Sequence, residues 1–414
     1  MVTIRELLRV FGRIGVQSFG GPAAQIALMH RVLVEERRWL TEEQYLAALS
    51  FCMLLPGPEA MQLATYAGWR MKGWTGGLIG GLLFVAPGAA VMTVLALLYL
   101  ALGQLPLVSA MFLGIQAAVL VIVIHALIRV GRKALVTPAR WIVAGLSFVG
   151  IFFLALPFPA IILAAGLWGA WSSPGVVRPM PPVRGAQTLK TLAIWGGLWI
   201  LPVAVLWASG ATLLTQIALF FSRLAVVTFG GAYAVLAYMT QEVVQDHGWL
   251  TTAQMMDGLG LAETTPGPLI LVTQFVAMVT GGQAGGTALA LAAGAGTLWG
   301  TFIPCFLWIF LGAPYIEWIA GRPRLSGALR AITAAVVGVI LNLSVWFALH
   351  VVFSEVTSTT WGPLHVILPD LSSLRPLTVG LAILAAVLMV RGKQAIGPVL
   401  VICATIAAVA SLLT

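Results

Sequence analysis

One apolar stretch broken by glycine and proline occurs twice in this chain, and the duplication limits the possible folds more than any other feature. Residues 11–58 and 221–268 align without a gap, and 18 of the 48 aligned residues are identical. The identities include Phe-Gly-Gly, Trp-Leu-Thr and Pro-Gly-Pro, each of which recurs at an offset of 210 residues. A constant offset over this length indicates a duplicated structural unit.

The composition places the duplicated unit in a membrane. Of the 414 residues, 60% are hydrophobic and 8% are charged, and the mean hydropathy is +1.02. So little charge cannot cover the surface of a soluble protein of this size. The apolar runs are continuous and do not alternate at every second residue, which excludes a transmembrane β-barrel. We therefore expect an all-α polytopic membrane protein.

The distribution of charge, the cysteine spacing and the lack of catalytic motifs argue against several other function classes. The net charge of +9 does not indicate nucleic-acid binding, because the basic residues lie in short loops between apolar runs. Cys52, Cys305 and Cys403 are scattered without metal-ligand spacing, so we expect no metal and no cofactor. The sequence contains no HExxH, GxSxG or Walker-type pattern, and we expect no enzyme activity.

Nine further apolar segments divide the chain into two matching halves. Four segments follow each block, and one additional segment lies between the halves. We assign residues 1–172 to an N-terminal repeat, 173–210 to a Pro/Arg-rich linker with an additional span, and 211–414 to a C-terminal repeat. The segments cover roughly 75–101, 105–128, 141–157, 159–172, 190–208, 284–312, 325–352, 375–391 and 395–413.

Loop charges predict that the two repeats have opposite orientations. The loop 129–140 and the linker are basic and contain no acid, whereas the turns near 101–105 and 208–216 carry no charge. Placing the basic loops in the cytoplasm gives a cytoplasmic N-terminus and an external C-terminus. The odd span 190–208 then inverts the second copy. Inverted repeats with a site at their interface are typical of secondary transporters.

Each block must cross the membrane an even number of times, and two interpretations satisfy this condition. Residues 11–31 and 41–71 are two interrupted crossings, which gives about 13 membrane segments. Alternatively, they are re-entrant hairpins with tips at Gly20–Pro22 and Pro56–Pro58. The sequence leaves both open.

The helix breakers predict an anion site. A half-helix that starts after a break points its amides and the positive end of its dipole into the membrane interior. The freed backbone groups there need protein or a water-filled cavity as partner. The alternative is that the breaks are packing kinks. The candidate residues are Gly20, Gly21, Pro22, Pro56, Gly57 and Pro58, with Gly230, Gly231, Pro266, Gly267 and Pro268 in the second copy.

Charged and polar side chains near the breaks are further candidates. Arg13 and Arg223 each lie seven residues before Gly-Gly, and a guanidinium suits bidentate contact with an oxyanion. Their alternative is snorkelling to the membrane surface. Glu59 and Glu263 are proton-coupling candidates, because desolvation favours a neutral carboxyl. The alternative is that each caps a helix or pairs with a nearby arginine. Gln62 and Thr265 offer neutral hydrogen bonds to a substrate.

At the level of whole motifs, the chain resembles the chromate ion transporters in their long, two-domain form. The resemblance rests on SFGGPAAQIALMHRVLVEERRWLTEEQ, LLPGPEAMQLATYAGW, VTFGGAYAVL and GWLTTAQMMDGLGLAETTPGPLILVTQF, and on the later TFIPCFLWIFLGAPYIE. It implies export of chromate across a bacterial cytoplasmic membrane, coupling to the proton-motive force, chromate resistance and competition by sulfate. It also implies an odd number of spans with oppositely oriented halves.

The copies differ in ways that predict unequal roles. The first Gly-Gly is followed by Pro22 and the second by Ala232, and Glu59 and Glu263 have no acidic counterparts at Leu269 and Met53. The leading hypothesis is a secondary transporter of a tetrahedral oxyanion, with sulfate as the alternative substrate and a passive anion channel as the alternative class. The expected partners are this anion and the lipid bilayer, and a homodimer is left open.

Overall fold

The computed structural model describes residues 2–173, 185–229, 232–316, 322–362 and 364–413. Most of the predicted linker, and the candidate residues Gly230 and Gly231, lie outside these ranges. The helices are α1 (Ile4–Gln17), α2 (Gly21–His30), α3 (Glu42–Cys52), α4 (Glu59–Leu102), α5 (Pro106–Ala134), α6 (Pro138–Phe152), α7 (Phe158–Trp171), α8 (Gly185–Ala208), α9 (Thr212–Val227), α10 (Ala232–Thr240), α11 (Thr252–Thr264), α12 (Val272–Gly312), α13 (Pro323–Val352), α14 (Pro376–Val390) and α15 (Ile396–Leu413).

The helices confirm a multi-pass, mainly α-helical membrane protein. Six candidate spans among the described residues are long and apolar enough to cross a bilayer. They are Glu59–Leu102, Pro106–Ala134, Gly185–Ala208, Leu269–Tyr315, Pro323–Val352 and Ile396–Leu413. The all-α expectation is incomplete in one place, where β1 (Val356–Trp361) and β2 (Leu364–Pro369) form an antiparallel hairpin. The number of crossings and the inversion of the halves stay predictions.

Both halves use the same order of elements. A π-helical turn follows α2 at Arg31–Glu36, and its counterpart follows α10 at Gln241–Asp246, again 210 residues later. Helices α1–α7 correspond in order to α9–α15, and α8 is the additional helix between them. The β-hairpin lies in the second half, between α13 and α14.

Two compact units form, and neither coincides with one sequence repeat. Unit 1 contains Met1–Leu100, Pro174–Ala232 and Thr265–Ser326. Unit 2 contains Ala101–Ser173, Tyr233–Thr264 and Gly327–Thr414. Each unit therefore combines segments from both halves, and the division into two repeats with a linker stays a prediction.

The repeated Trp-Leu-Thr motif has a local structural purpose. The Trp39 amide donates to Leu33 O at 2.8 Å, and the Trp249 amide donates to Val243 O at 2.9 Å, which closes each π-helical turn. Thr41 then caps α3 and exchanges two hydrogen bonds with Gln44. The same reciprocal pair begins α11, between Thr251 and Gln254. The motif thus ends one helix and starts the next.

Helices α4 and α12 are each two arms joined by a sharp turn. Gly73 has φ +58° and Gly286 has φ +75°, a region that glycine enters without strain. The arms of α4 then lie in direct contact, because a Cβ on Gly68 would stand 2.0 Å from Gly76 O. A Cβ on Gly80 would likewise stand 2.3 Å from Ala64 O. Glycine at these positions lets two backbones pack together, as is typical of membrane helices.

The additional helix α8 packs on the second arm of α12 within unit 1. Trp195 is 4% exposed, and its ring lies 4.9 Å from Phe310 and 5.6 Å from Phe306 between centroids. Trp299 Nε1 donates to Leu198 O at 2.7 Å, and Trp199 Nε1 donates to Ser222 Oγ at 3.1 Å. Aromatic packing and two indole hydrogen bonds therefore attach α8 to α12 and α9.

Gly68→Ala tests the contact between the arms of α4. The added methyl group would meet the Gly76 carbonyl, and we expect a loss of about 1–3 kcal/mol in stability despite the better helix propensity of alanine. Gly296→Ala is the matched control, because a Cβ at Gly296 meets nothing within 4 Å. Thermal unfolding of the two purified variants in detergent measures the difference. Equal stability of both variants would contradict the close packing of the arms.

Candidate functional site

The Pro-Gly-Pro break of the first block is held by the second block. Gly57 is buried with φ +117°, and its amide donates to Thr228 O at 2.9 Å. Gln62, one turn into α4, donates from Nε2 to Pro56 O at 2.7 Å. A Cβ on Gly57 would stand 2.8 Å from both Cys305 Sγ and Gln62 Nε2. The break is thus a closely packed turn with its polar groups paired inside unit 1.

The second Pro-Gly-Pro break is held by the first block in the same manner. Gly267 is buried with φ +86°, and its amide donates to Ser18 O at 2.8 Å. Gln25 donates from Nε2 to Gly267 O at 2.6 Å and to Ser18 O at 3.2 Å. Gly267 is the copy of Gly57, and Thr228 is the copy of Ser18. Each break therefore donates one backbone hydrogen bond to the opposite block, and the two bonds join equivalent positions.

Ser18 and Thr228 occupy equivalent positions at the ends of α1 and α9. The Ser18 hydroxyl donates to Ile14 O at 2.6 Å, and the Thr228 hydroxyl donates to Leu224 O. Each side chain satisfies a carbonyl four residues earlier, where the helix is ending. The main-chain oxygens of Ser18 and Thr228 are then the acceptors for the glycine amides of the opposite breaks.

A glycine in the second arm of α4 completes the packing at the second break. A Cβ on Gly88 would stand 2.1 Å from Pro266 O. Gly267 faces the same arm at a longer distance, since its own Cβ would stand 3.4 Å from Phe84 O. The neighbouring candidate Thr265 is buried, as are Pro266 and Pro268. Sequence analysis missed Gly88, and its position after Pro87 was the available signal.

Three buried glutamines donate hydrogen bonds from their amide groups to backbone or side-chain oxygens around the breaks. Gln274 Nε2 donates to Thr93 Oγ1 at 2.7 Å and to Ala89 O at 3.1 Å. Among the described residues, the Oε1 atoms of Gln25, Gln62 and Gln274 find no hydrogen-bond partner. A buried carbonyl oxygen accepts hydrogen bonds from water or from a protonated oxyanion. The donor side of these amide groups therefore holds the segments around the breaks together, and the three oxygens are enclosed by protein.

The first block turns back at its breaks. The rings of Phe51, before Pro56–Pro58, and Tyr66, after it, lie 6.5 Å apart between centroids. At Gly20–Pro22, two consecutive glycines have φ +85° and +78°, and Pro22 lies in the first turn of α2. Arg13 before that turn contacts Glu36 after it. These contacts bring the two sides of each break together, and both the hairpin and the interrupted-crossing interpretations stay predictions.

The two arginines are exposed on the protein surface. Arg13 Nη1 lies 3.3 Å from Glu36 Oε2, with the Arg13 side chain 49% exposed, and Arg31 Nε lies 3.6 Å from Glu36 Oε1. Arg223 is exposed on α9. Arg13 therefore belongs to a surface ion group, in agreement with the snorkelling alternative, while an anion-binding role of both residues stays a prediction.

The two acidic candidates have different surroundings. Glu59 is the first residue of α4, where the helix dipole favours a negative charge. Glu263 lies in α11 and accepts a hydrogen bond from the Tyr233 hydroxyl at 2.8 Å. Arg129 of α5 acts electrostatically on both Glu263 and Tyr233, and its Nη2 lies 3.4 Å from His125 Nδ1. Glu59 belongs to unit 1 and Glu263 to unit 2.

A buried carboxylate, Asp257, lies in the same unit as the partly buried Glu263. Asp257 is 5% exposed, and Gln116 Nε2 of α5 donates to its Oδ1 at 2.6 Å. Tyr233, Arg129 and Gln116 were not expected from the sequence, because they lie on α10 and α5, away from the helix α11 that carries both acids, and have no shared motif. Within the described ranges, no three His, Cys, Asp or Glu side chains are grouped as metal ligands would be.

The comparisons with known proteins point to one family. The sequence model of the family named Chromate transporter matches residues 5–170 and 215–412. A probable chromate transport protein of Synechococcus elongatus is 31% identical over 82% of this chain and 83% of its own length. The chromate transport protein of Pseudomonas aeruginosa is 31% identical over 81% of this chain and 79% of its own length. No solved structure matches the chain.

The family model covers most of both halves, and it includes both Pro-Gly-Pro breaks and the residues that bond to them, Ser18 and Thr228. The chain belongs to the chromate transporter family.

Proposed function

We propose that this chain is a secondary transporter that exports chromate, a tetrahedral oxyanion, across the bacterial cytoplasmic membrane and thereby confers chromate resistance. The reciprocal bonding of the two breaks carries the proposal: Gly57 to Thr228 and Gly267 to Ser18. Three relatives named as chromate transport proteins support the substrate. Sulfate is the alternative substrate, because it has nearly the same shape and charge.

The bonding pattern favours an alternating-access mechanism rather than a permanently open pore. Each break takes its acceptor from the other sequence copy, so a displacement of one break strains the hydrogen bonds of both. Broken helices at the interface of two repeats are the usual site of substrates in secondary transporters. The candidate anion-binding groups are the half-helix starts at Gly21, Glu59 and Leu269, with Arg223 as a positive charge on α9.

The proton-motive force drives export in this proposal. An inside-negative potential favours the exit of an anion by about 2.3 kcal/mol per charge per 100 mV. Glu263 is the proposed proton carrier, because it is paired with the neutral donor Tyr233 and lies within the electrostatic reach of Arg129. A carboxylate with one hydrogen-bond donor and one positive charge nearby can release a proton without being left unpaired.

Chromate accumulation in everted vesicles tests the transport proposal. Export in the cell corresponds to uptake in these vesicles, and we expect accumulation when respiration acidifies the vesicle interior. Potassium and valinomycin then hold the potential at zero. Continued accumulation, abolished by an uncoupler, is the expected result for proton exchange. Passive equilibration would indicate a channel, and uptake equal to that of vesicles without the protein would refute transport. Labelled sulfate in the same vesicles decides between the substrates.

Gln25→Leu tests the importance of the paired breaks. The variant leaves Gly267 O without its side-chain donor, at about 1–3 kcal/mol for a buried unsatisfied group, while Ser18 O keeps the Gly267 amide as its donor. We expect chromate uptake to fall at least about tenfold, because 1.4 kcal/mol corresponds to that factor. Gln17→Leu, at the exposed end of α1, is the matched control. If both variants reach normal levels in the membrane and transport equally, the paired breaks do not carry transport.

Glu263→Gln separates proton coupling from substrate binding. We expect this variant to lose accumulation driven by the pH gradient and to retain chromate exchange between the two sides. Tyr233→Phe removes a donor to the ionised carboxylate, so the pH dependence of uptake should move to higher pH. The exposed acid Glu355 provides the control Glu355→Gln. Wild-type accumulation by Glu263→Gln would exclude this residue as the carrier.

A further inference from the structure

Unit 2 contains an apolar groove that no part of the transport proposal uses. It has a volume of about 450 Å³ and is formed by α5, α6 and α13. Leu127 and Leu135 lie at the two ends of the α5 wall, eight residues or about 12 Å apart along the helix. Phe148 of α6 and Leu341 of α13 form part of the remaining lining. The α5 and α13 walls belong to candidate membrane-spanning helices, and α6 is a shorter apolar helix.

Glycine makes the groove deep. Gly338 of α13 approaches α6 so closely that its Cβ would stand 2.1 Å from Ala144 O. Gly145, the next residue of α6, also lines the groove, and a Cβ there would meet nothing within 4 Å. The helices are therefore in contact at the base of the groove, while the space above Gly145 stays open to a linear apolar chain.

One end of the groove is positively charged. Arg132, in the last turn of α5, is exposed and is the charged residue of the groove lining. Lys133 lies in the same turn of α5 and Arg140 in the first turn of α6, and residues 129–140 contain no acid. Trp141, 62% exposed at the start of α6, lines the groove near the same end. A Trp beside basic residues is typical of the level of lipid headgroups.

We propose that this groove binds one anionic phospholipid, with an acyl chain along α5 and α6 and the phosphate at Arg132. An apolar groove on spanning helices is filled by lipid in a bilayer, and the basic end decides which lipid. The phosphate of a zwitterionic lipid also fits Arg132, but its amine would lie among like charges with no acid in the loop to bind it. An anionic headgroup has no such penalty.

Native mass spectrometry of the purified full-length protein tests the proposal. The protein is given equal amounts of phosphatidylglycerol and phosphatidylcholine with identical acyl chains. We expect phosphatidylglycerol to be retained about fivefold more, the factor for about 1 kcal/mol per basic residue near a membrane surface. A parallel sample with excess inorganic phosphate separates a bound lipid from a free anion. Displacement of phosphatidylglycerol by phosphate would overturn the lipid assignment.

Three variants locate the site. Arg132→Gln should abolish the preference for phosphatidylglycerol over phosphatidylcholine. Lys133→Gln removes the same charge one residue away, outside the groove lining, and this variant should keep most of the preference. Gly145→Leu places a side chain in the groove at a position where a Cβ meets nothing within 4 Å, and it should lower the retention of both lipids. Equal preference in Arg132→Gln and Lys133→Gln, or unchanged retention in Gly145→Leu, would overturn the proposed site.

Discussion

The pairing of backbone groups at the helix breaks is the constraint on which unit 1 depends. In hydrocarbon, a main-chain amide or carbonyl without a partner costs several kcal/mol, so irregular backbone persists there only where protein or water satisfies it. The amides of Gly57 and Gly267 find their acceptors at Thr228 and Ser18, each in the opposite copy of the duplicated block. Neither half can complete its own break, and for this reason a compact unit combines segments from both halves.

The breaks also explain why glycine and glutamine occur where they do. Gly57 and Gly267 both adopt positive φ in buried turns, where a side chain would strain the backbone and meet close neighbours. Gln62 and Gln25 then supply the donors that the prolines of the breaks lack, through hydrogen bonds to Pro56 O and Gly267 O. Such a turn is held by directional bonds that have few alternative geometries, which suits the movement between discrete states that the proposed transport cycle requires.

Much of the fold could be predicted from local sequence patterns, whereas the hydrogen bonds between distant segments could not. The repeat, the breaks and most apolar segments were predictable, because proline, glycine and continuous hydrophobicity act on the nearest residues of the chain. The partner of Gly267 was not, since Gln25 has Val235 as its copy and no repeated signal marks it. Arg13 was proposed for an anion from its spacing, but the pairing with Glu36 depends on how the chain turns back.

The division between backbone and side chains shows how a duplicated transporter can acquire unequal halves. The reciprocal bonds use main-chain atoms, so the copies keep them even where the residues differ, as with Ser18 and Thr228. Side chains around the breaks are free to diverge: Gln62 has Val272 as its copy under the same offset, and Glu263 has Met53. A proton carrier is needed once per cycle, whereas a symmetric switch needs both breaks. The proposed transporter therefore keeps its symmetry in the backbone and places its proton chemistry in one copy.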